Sequence, residues 1–283
     1  MRQPPTLPPP EIAAASQAML RAARRLLRRK DRQLARRFLA EGPQAVSEAL
    51  ARQGTILELI VADESLERHR DLIDRASNAG ARIGAASVPA ISELSATVTP
   101  QGLVAVCQMI DVSVVEALSG APRLVVFCDQ VRDPGNLGTV IRCADAFGAD
   151  AVLVSRDSVD VYNAKVVRAT TGSLFHLPIT IGVDHGEAIT LARNSGLQVC
   201  GADAAAPYTI NDLAASGQLA LPTMWVMGNE AWGLPAEHQS LLDRSVALPI
   251  YGRAESLNLS TAAAVFLYAS ATAQHANKSA RVQ

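Results

Sequence analysis

Three stretches of this sequence hold polar residues that packing alone does not require. In DQVRDPGNLGTVIRCADAFG (129–148), an Asp-Pro-Gly turn is followed by Asn136 and, on the helix that should come next, Arg142. An amide and a guanidinium at a strand–helix corner can orient a ligand and fork onto phosphate oxygens. In isolation the same segment reads as an ordinary corner, with Asn136 as N-cap and Arg142 solvated. In MGNEAWGLP (227–235), Gly228 and Gly233 allow backbone to approach a ligand closely, and Glu230 is an acid stranded among small and apolar residues. By itself this is also a Gly-rich turn with a capping Glu. In LPIYGRAESLNLSTAAAVF (248–266), Ser256, Asn258 and Ser260 precede an Ala-rich helix that any of them could cap. None of the three is the GxGxxG of a dinucleotide site or a Walker loop, so a nicotinamide-dependent dehydrogenase lacks its fingerprint here.

Each stretch begins where an apolar, unalternating run ends, as expected of strands covered on both faces. Strands are expected at 124–128, 151–154, 177–181, 197–202, 223–228 and 245–250, with helices over 136–147, 163–171, 186–194 and 260–275. The fold class is therefore α/β, with a mostly parallel sheet whose ligands bind beyond the carboxyl ends of its strands. The first half holds a smaller α/β unit. A basic helix over 16–37 with a seam of Leu20, Ala23, Leu27, Leu34 and Phe38 leads to strands at 38–42, 56–63, 82–85 and 102–109. Helices are expected from Pro43, over 65–78 and over 89–94. The resulting organisation is a Pro-rich disordered leader (1–15), a first domain (16–110), a connector (111–122), a second domain (123–276) and a tail (277–283).

The 283 residues sum to a formal charge of −1, which as a total argues against a polyanion partner. The distribution says otherwise. Arg21, Arg24, Arg25, Arg28, Arg29, Lys30, Arg32, Arg36 and Arg37 stand against one acid, Asp31, so this stretch carries +8 and the remainder −9. Such a block is a footprint for phosphates, a solvated helix face or a targeting peptide. Aromatics at 4% exclude a wide base-stacking platform. Four dispersed cysteines without a CxxC or a nearby His pair suggest buried reduced thiols and no metal site. No apolar run approaches a membrane span, and MRQPPTLPPPE lacks the apolar core of a secretory signal, so a cytoplasmic location is expected.

Taken together, Asn136 and Arg142 in DPGNLGTVIR, Glu230 in MGNEAWGLP, and Ser256 with Asn258 in ESLNLSTAAA resemble the three ordered motifs of the SpoU-type (TrmH-like) RNA ribose 2′-O-methyltransferases of the SPOUT superfamily. DVYNAKVVRATTGSLFHLP (160–178) is similar to a further stretch of that family. RRFLAEGPQAVSEAL (36–50) and TPQGLVAV (99–106) resemble the small ribosomal-protein-like RNA-binding domain that many members carry first. The resemblance implies a small N-terminal RNA-binding domain and a C-terminal domain whose last segment threads a deep trefoil knot. It also implies a homodimer whose sites are completed by the second copy, and S-adenosyl-methionine as cofactor. Cofactor contacts carry over to Ala202, Gly228, Asn229, Glu230, Leu248, Ile250, Ser256, Leu257, Asn258 and Leu259. Ala231, Tyr251 and Leu259-Ser260-Thr261 depart from commoner residues and leave the polar set intact.

By the same resemblance Arg142 is the central catalytic residue, with Asn136, Glu230, Ser256 and Asn258 around it. Arginine is a poor base at neutral pH, so Arg142 is expected to act on the phosphate beside the target ribose. Asn136 would orient Arg142 or the ribose, and Glu230 would organise the pocket or the second copy's 129–136 loop. The basic residues of 21–37, with Arg168, are the expected RNA contacts. The substrate read from the first domain is 23S (large-subunit) ribosomal RNA. A transfer RNA substrate keeps the same chemistry, and a non-catalytic RNA-binding or ribosome-assembly factor would keep only the scaffold.

Overall fold

The basic stretch folds as two helices and not one. Helix α1 (Gln17–Arg25) starts at Ser16, whose hydroxyl accepts from the Met19 N–H at 3.1 Å. After a turn, α2 (Arg29–Ala35) runs to Arg36, which closes it at φ 53°. Arg32 explains the break. Its guanidinium is buried and donates through Nη1 to the carbonyls of Leu26 (2.8 Å) and Leu27 (2.9 Å), filling acceptors left over at the end of α1. The apolar seam shifts accordingly: Ala23 and Leu26 are buried, whereas Leu34 is 77% exposed.

This computed structural model describes residues 12–95, 97 and 99–280; the expected leader at 1–11 and the tail at 281–283 lie outside them. The leader expectation needs correcting at 12–15, because Ala15 N–H donates to Ala85 O (2.7 Å) and Ala85 N–H to Ala13 O (3.0 Å). Contacts divide the chain into two units between Gln108 and Met109.

The first unit continues through β1 (Arg37–Glu41), α3 (Pro43–Ala51), β2 (Ile56–Ala62), α4 (Arg70–Asn78), β3 (Arg82–Ala86), α5 (Val88–Leu94) and β4 (Leu103–Gln108). Its sheet runs β1-β4-β2-β3, with β2 and β3 parallel and the other pairs antiparallel. Helix α4 begins five residues later than the expected start at Ser65, because 63–65 winds into a single tight turn first. Leu39, Ile60, Val104 and Val106 of the sheet pack with Ala23, Leu26, Ile91 and Leu94 of the helices.

The second unit opens on α6 (Val114–Ala117), inside the expected connector. Val114, Ala117 and Leu118 are buried in its core, so 111–122 is packed structure here. There follow β5 (Leu124–Cys128), α7 (Pro134–Ala146), β6 (Ala151–Ser155), α8 (Ala164–Ala169), β7 (Ile179–Val183) and α9 (His185–Asn194). The chain goes on through β8 (Gln198–Ala202), β9 (Tyr208–Thr209), α10 (Ile210–Ala215), β10 (Thr223–Met227), α11 (Ala236–Gln239), β11 (Arg244–Ala247) and α12 (Leu259–Ala280). All seven strands are parallel, in the order β7-β6-β5-β10-β8-β11-β9. Strand β9 and α10 carry no long apolar run, which is why sequence patterning passes over them. The expected strand at 245–250 stops at Ala247, and residues 248–258 form a loop at the carboxyl end of the sheet.

Two contacts fix the helices that carry the polar segments. Trp225 of β10 is fully buried, donates through Nε1 to Ser270 Oγ (2.9 Å) and packs with its ring centroid 4.4 Å from that of Phe266 at a 32° tilt, which anchors α12. Gly138 lets α7 and α8 approach closely, since a Cβ there would lie 2.5 Å from Ala169 Cβ and 2.7 Å from the Val166 carbonyl. The overpacking cost of about 1–3 kcal/mol exceeds the roughly 0.8–1.0 kcal/mol gained by replacing a helical glycine, since one contact is rigid backbone. Gly138→Ala should therefore lower the unfolding free energy in urea denaturation, whereas Gly135→Ala, with only the Asp133 side chain nearby at 3.0 Å, should not.

Candidate active site

Helix α7 starts on Asp133, whose Oδ1 accepts from the Asn136 N–H at 2.7 Å. The expected cap role of Asn136 thus belongs to Asp133, three residues earlier, and the Asn136 side chain is left for other partners. It donates through Nδ2 to Glu230 Oε1 (3.1 Å) and accepts through Oδ1 from Asn258 Nδ2 (2.9 Å). Glu230 also receives the backbone N–H groups of Arg132 (3.2 Å) and Asp133 (3.0 Å). Asn258 is committed at both ends. Its Oδ1 accepts from Ser260 N–H (2.9 Å) and Ser260 Oγ (2.7 Å), capping α12. The capping and ligand-site readings of these segments are therefore not alternatives: one hydrogen-bonded chain, Glu230–Asn136–Asn258–Ser260, joins all three.

Burial opposes charge on Glu230, but donors from its own backbone, Asn136, Asp133 and Arg132 outweigh it and hold the carboxyl below its ordinary range. Beside it, Asn229 is buried and donates through Nδ2 to Gln130 O (2.8 Å). Asn229 and Gly233 exchange backbone hydrogen bonds of 2.8 and 3.0 Å. This closure gives Gly228 its purpose. A Cβ there would lie 2.6–2.8 Å from the Gly233 and Leu234 backbone, so the glycine lets the loop fold on itself.

The loop at 228–234 and the segment 248–259 wall a cavity of about 350 Å³. Ala202, Gly228, Asn229, Glu230, Leu248, Ile250, Ser256, Leu257 and Leu259 line it; Asn258 does not, its amide being turned to Asn136. Sequence reading missed Asp203, Leu234, Ala262 and Phe266. The last two follow Leu259 at the i+3 and i+7 spacing that marks one helix face, a signal that was available. Among the described lining residues none is basic and two, Asp203 and Glu230, are acids. Such a site does not suit a phosphorylated cofactor and does suit a cationic one with an apolar base.

Arg142 stands apart from this network. It does not line the cavity or bond to Asn136; its Nη1 faces Thr171 Oγ1 at 3.4 Å. Of the expected RNA contacts, Arg32 is turned inward as described, Arg24 pairs with Glu93, and Arg25 pairs with Asp31 at 3.1 Å. Arg21, Arg28, Arg29, Lys30, Arg36, Arg37 and Arg168 are exposed.

Beneath the 129–133 loop lies a buried group that sequence spacing could not reveal. Asp129 Oδ2 accepts from Nδ1 of His185 (2.8 Å) and of His238 (2.6 Å), whose rings stack 3.8 Å apart at 14°. Among the described residues this is the one trio of ligand types close enough to hold a metal. Two near-parallel imidazoles, however, cannot both aim in-plane lone pairs at one ion about 2.0–2.1 Å away. The arrangement is that of a carboxylate shared by two ring N–H groups. Burial raises the Asp129 carboxyl, and the two imidazoles outweigh that effect and hold it below its ordinary range.

Residues 123–268 match the SpoU rRNA Methylase family, and residues 18–105 match the MRM3-like substrate binding domain. The chain is 35% identical over 260 residues to the 23S rRNA (guanosine(2553)-2′-O)-methyltransferase RlmP of Bacillus subtilis, covering 91% of this chain and 98% of that protein. Among solved structures it is similar to the SpoU methyltransferase AviRb from Streptomyces viridochromogenes in complex with AdoMet. There the TM-score is 0.79 at 28% identity, over 92% of this chain and 100% of that one. It is also similar to an AdoMet-bound rRNA methyltransferase from Sinorhizobium meliloti, with a TM-score of 0.78 at 29% identity, over 92% and 96% of the two chains.

A carboxyl whose folded pKa is depressed contributes stability that is complete above its unfolded value and is lost as pH falls through the folded one. For Asp129 that loss begins below the ordinary 3.8. Asp129→Ala leaves one buried and one partly buried ring N–H without an acceptor and should cost about 1–3 kcal/mol near neutrality. In urea denaturation as a function of pH, the gap between this variant and the parent should narrow as the solution is acidified. A gap that is constant across the acid range would show that the carboxylate charge contributes nothing.

Proposed function

The chain belongs to the SpoU rRNA methylase family, and from that premise we propose that it transfers a methyl group from S-adenosyl-methionine to a ribose 2′-hydroxyl of 23S ribosomal RNA. The observation that carries this reading is the joining of three distant segments by Glu230, Asn136 and Asn258 beside a cavity without basic residues. S-adenosyl-methionine fits that lining. Leu234, Leu248, Ile250 and Leu257 would hold its adenine and carbon surface, and Asp203 would accept from its ribose hydroxyls. When bound, it supplies a methyl group on a positively charged sulfur.

The protein's part is to hold, orient and neutralise. Arginine stays protonated at neutral pH, so Arg142 acts as a cation and not as the base. Its guanidinium fixes the phosphate beside the target ribose and stabilises the charge developing on the 2′-oxygen, whose proton leaves to phosphate or water. Glu230 holds the 129–136 loop that starts α7 and so sets where Arg142 is carried. Ser256 shapes the methionine end of the cavity. Because Arg142 does not line the cavity of its own chain, we place it in the site of a second copy. A homodimer is supported by the apolar surface left exposed along 250–268, where Val265 is 41%, Tyr268 59% and Tyr251 88% exposed. The segment 248–259, which returns beside 228–234 before α12, is the part we assign to a trefoil knot. Four free cysteines and the absence, among the described residues, of a helix able to cross a membrane accord with a cytoplasmic site of action.

In single-turnover assays on transcribed 23S rRNA, Arg142→Ala should lower the methylation rate by about 10²-fold or more with S-adenosyl-methionine affinity retained. Unchanged turnover would remove Arg142 from the mechanism. For RNA binding we assign the exposed basic residues of 21–37. Deleting this stretch is a poor test, since Ala23 and Leu26 belong to the first unit's core. Replacing Arg21, Arg28, Arg29 and Lys30 by Gln should instead weaken RNA affinity and flatten its salt dependence by roughly 0.7–0.9 per lost phosphate contact. Cofactor affinity, measured by calorimetry, should not change.

A further inference from the structure

Among the residues near Arg142, Thr171 is held in a conformation that its side chain disfavours. Its φ of 53° lies in the left-handed region, which β-branched residues avoid. Helix α8 ends here. Thr170 is its C-cap, and Thr171 occupies the next position, where glycine or asparagine is the usual solution. A glycine does follow, Gly172 at φ 103°, yet the strained position itself carries a threonine. Strain of this kind persists only where the surrounding structure over-determines it, and it clusters at functional sites.

The packing of α7 on the 166–176 segment sets what Thr171 faces. Gly138 sits against Val166 and Ala169, and Asp145 Oδ2 faces His176 Nδ1 at 2.8 Å. Arg142 lies one turn beyond Gly138 on the same helix face, so this register sets the end of α8 opposite its guanidinium. The hydroxyl found there is Thr171 Oγ1, 3.4 Å from Arg142 Nη1. Both residues are exposed, so without such a contact the long arginine stem would sample many rotamers.

We propose that Thr171 is a positioning residue for Arg142, its hydroxyl accepting from Nη1 to hold the guanidinium toward the substrate phosphate while the backbone keeps the strain this requires. The inference rests on the catalytic reading of Arg142 given above. It separates stability from turnover, because relieving the strain removes the hydroxyl.

The test compares full-length parent, Thr171→Gly, Thr171→Ser and Thr171→Val by thermal unfolding, by kcat and KM on transcribed 23S rRNA, and by calorimetry with S-adenosyl-methionine. Thr171→Gly should raise Tm by about 2–4 °C and lower kcat about tenfold, with cofactor affinity unchanged. Thr171→Ser should keep the parent's kcat, and Thr171→Val should lose kcat without gaining Tm. In an Arg142→Ala background the loss caused by Thr171→Gly should vanish. An active parent whose Thr171→Gly or Thr171→Val variant keeps its kcat overturns the inference alone, as does a Thr171→Ser variant as slow as Thr171→Gly. A parent that binds S-adenosyl-methionine and methylates no RNA overturns the functional reading as well.

Discussion

The Glu230 carboxylate is the interaction on which the rest of the site depends. It gathers two backbone N–H groups, from Arg132 and Asp133, and one side-chain amide, from Asn136, all almost a hundred residues away in sequence. All three bonds are solvent-exposed; what draws the donors to one point is the charge on a single carboxylate, which makes a stronger acceptor than a neutral group. Because Asp133 caps α7 and Asn136 lies in its first turn, the carboxylate fixes the starting point of the helix that carries Arg142. The same Asn136 passes the constraint on to Asn258, and through it to the start of α12. One charge thereby sets the mutual position of three segments at the carboxyl ends of β5, β10 and β11.

Beneath this polar chain the structure is tightly packed. Gly138 removes a side chain so that α7 can lie on α8, and Trp225 with Phe266 and Ser270 pins α12 to the sheet. The buried Asp129 and His185, with the partly buried His238, support the 129–133 loop from below. The loop closure that requires Gly228 does the same for the cavity wall: two backbone bonds between Asn229 and Gly233 close it, and Asn229 Oδ1 accepts from the Ala231 N–H inside it.

Charge is divided along the chain in the same spirit. The near-zero total is a sum of a basic stretch at 21–37 and an acidic remainder. Folding trims the basic part: Arg32 serves as a helix-end donor, and Arg24 and Arg25 are paired with acids. Arg24 and Arg25 stay exposed within those pairs, and the exposed residues outside them centre on Arg28, Arg29 and Lys30 at the α1–α2 turn. The cavity, by contrast, presents acids and no bases. Basic surface and acid-lined cavity thus lie on separate parts of the sequence.

Sequence alone determined the strand–helix alternation, the parallel sheet and the three polar segments, because hydrophobic period and turn residues act over a few neighbours. The order and context of Asn136, Arg142, Glu230, Ser256 and Asn258 were enough to suggest a family. Helix starts were less legible: Asp133 and Asn136 are both good caps, and only the position of Glu230 decides which amide is drawn away. The break between α1 and α2 depended on where the Arg32 guanidinium could reach. The stacked histidines, the contact of Thr171 with Arg142 and the role of Gly228 were decided only by tertiary structure. Each joins residues from about 30 to about 110 positions apart, or a residue to a backbone that has first to be folded beside it. Local propensity has no access to such pairs, because the distance between them is set by the sheet that closes in between.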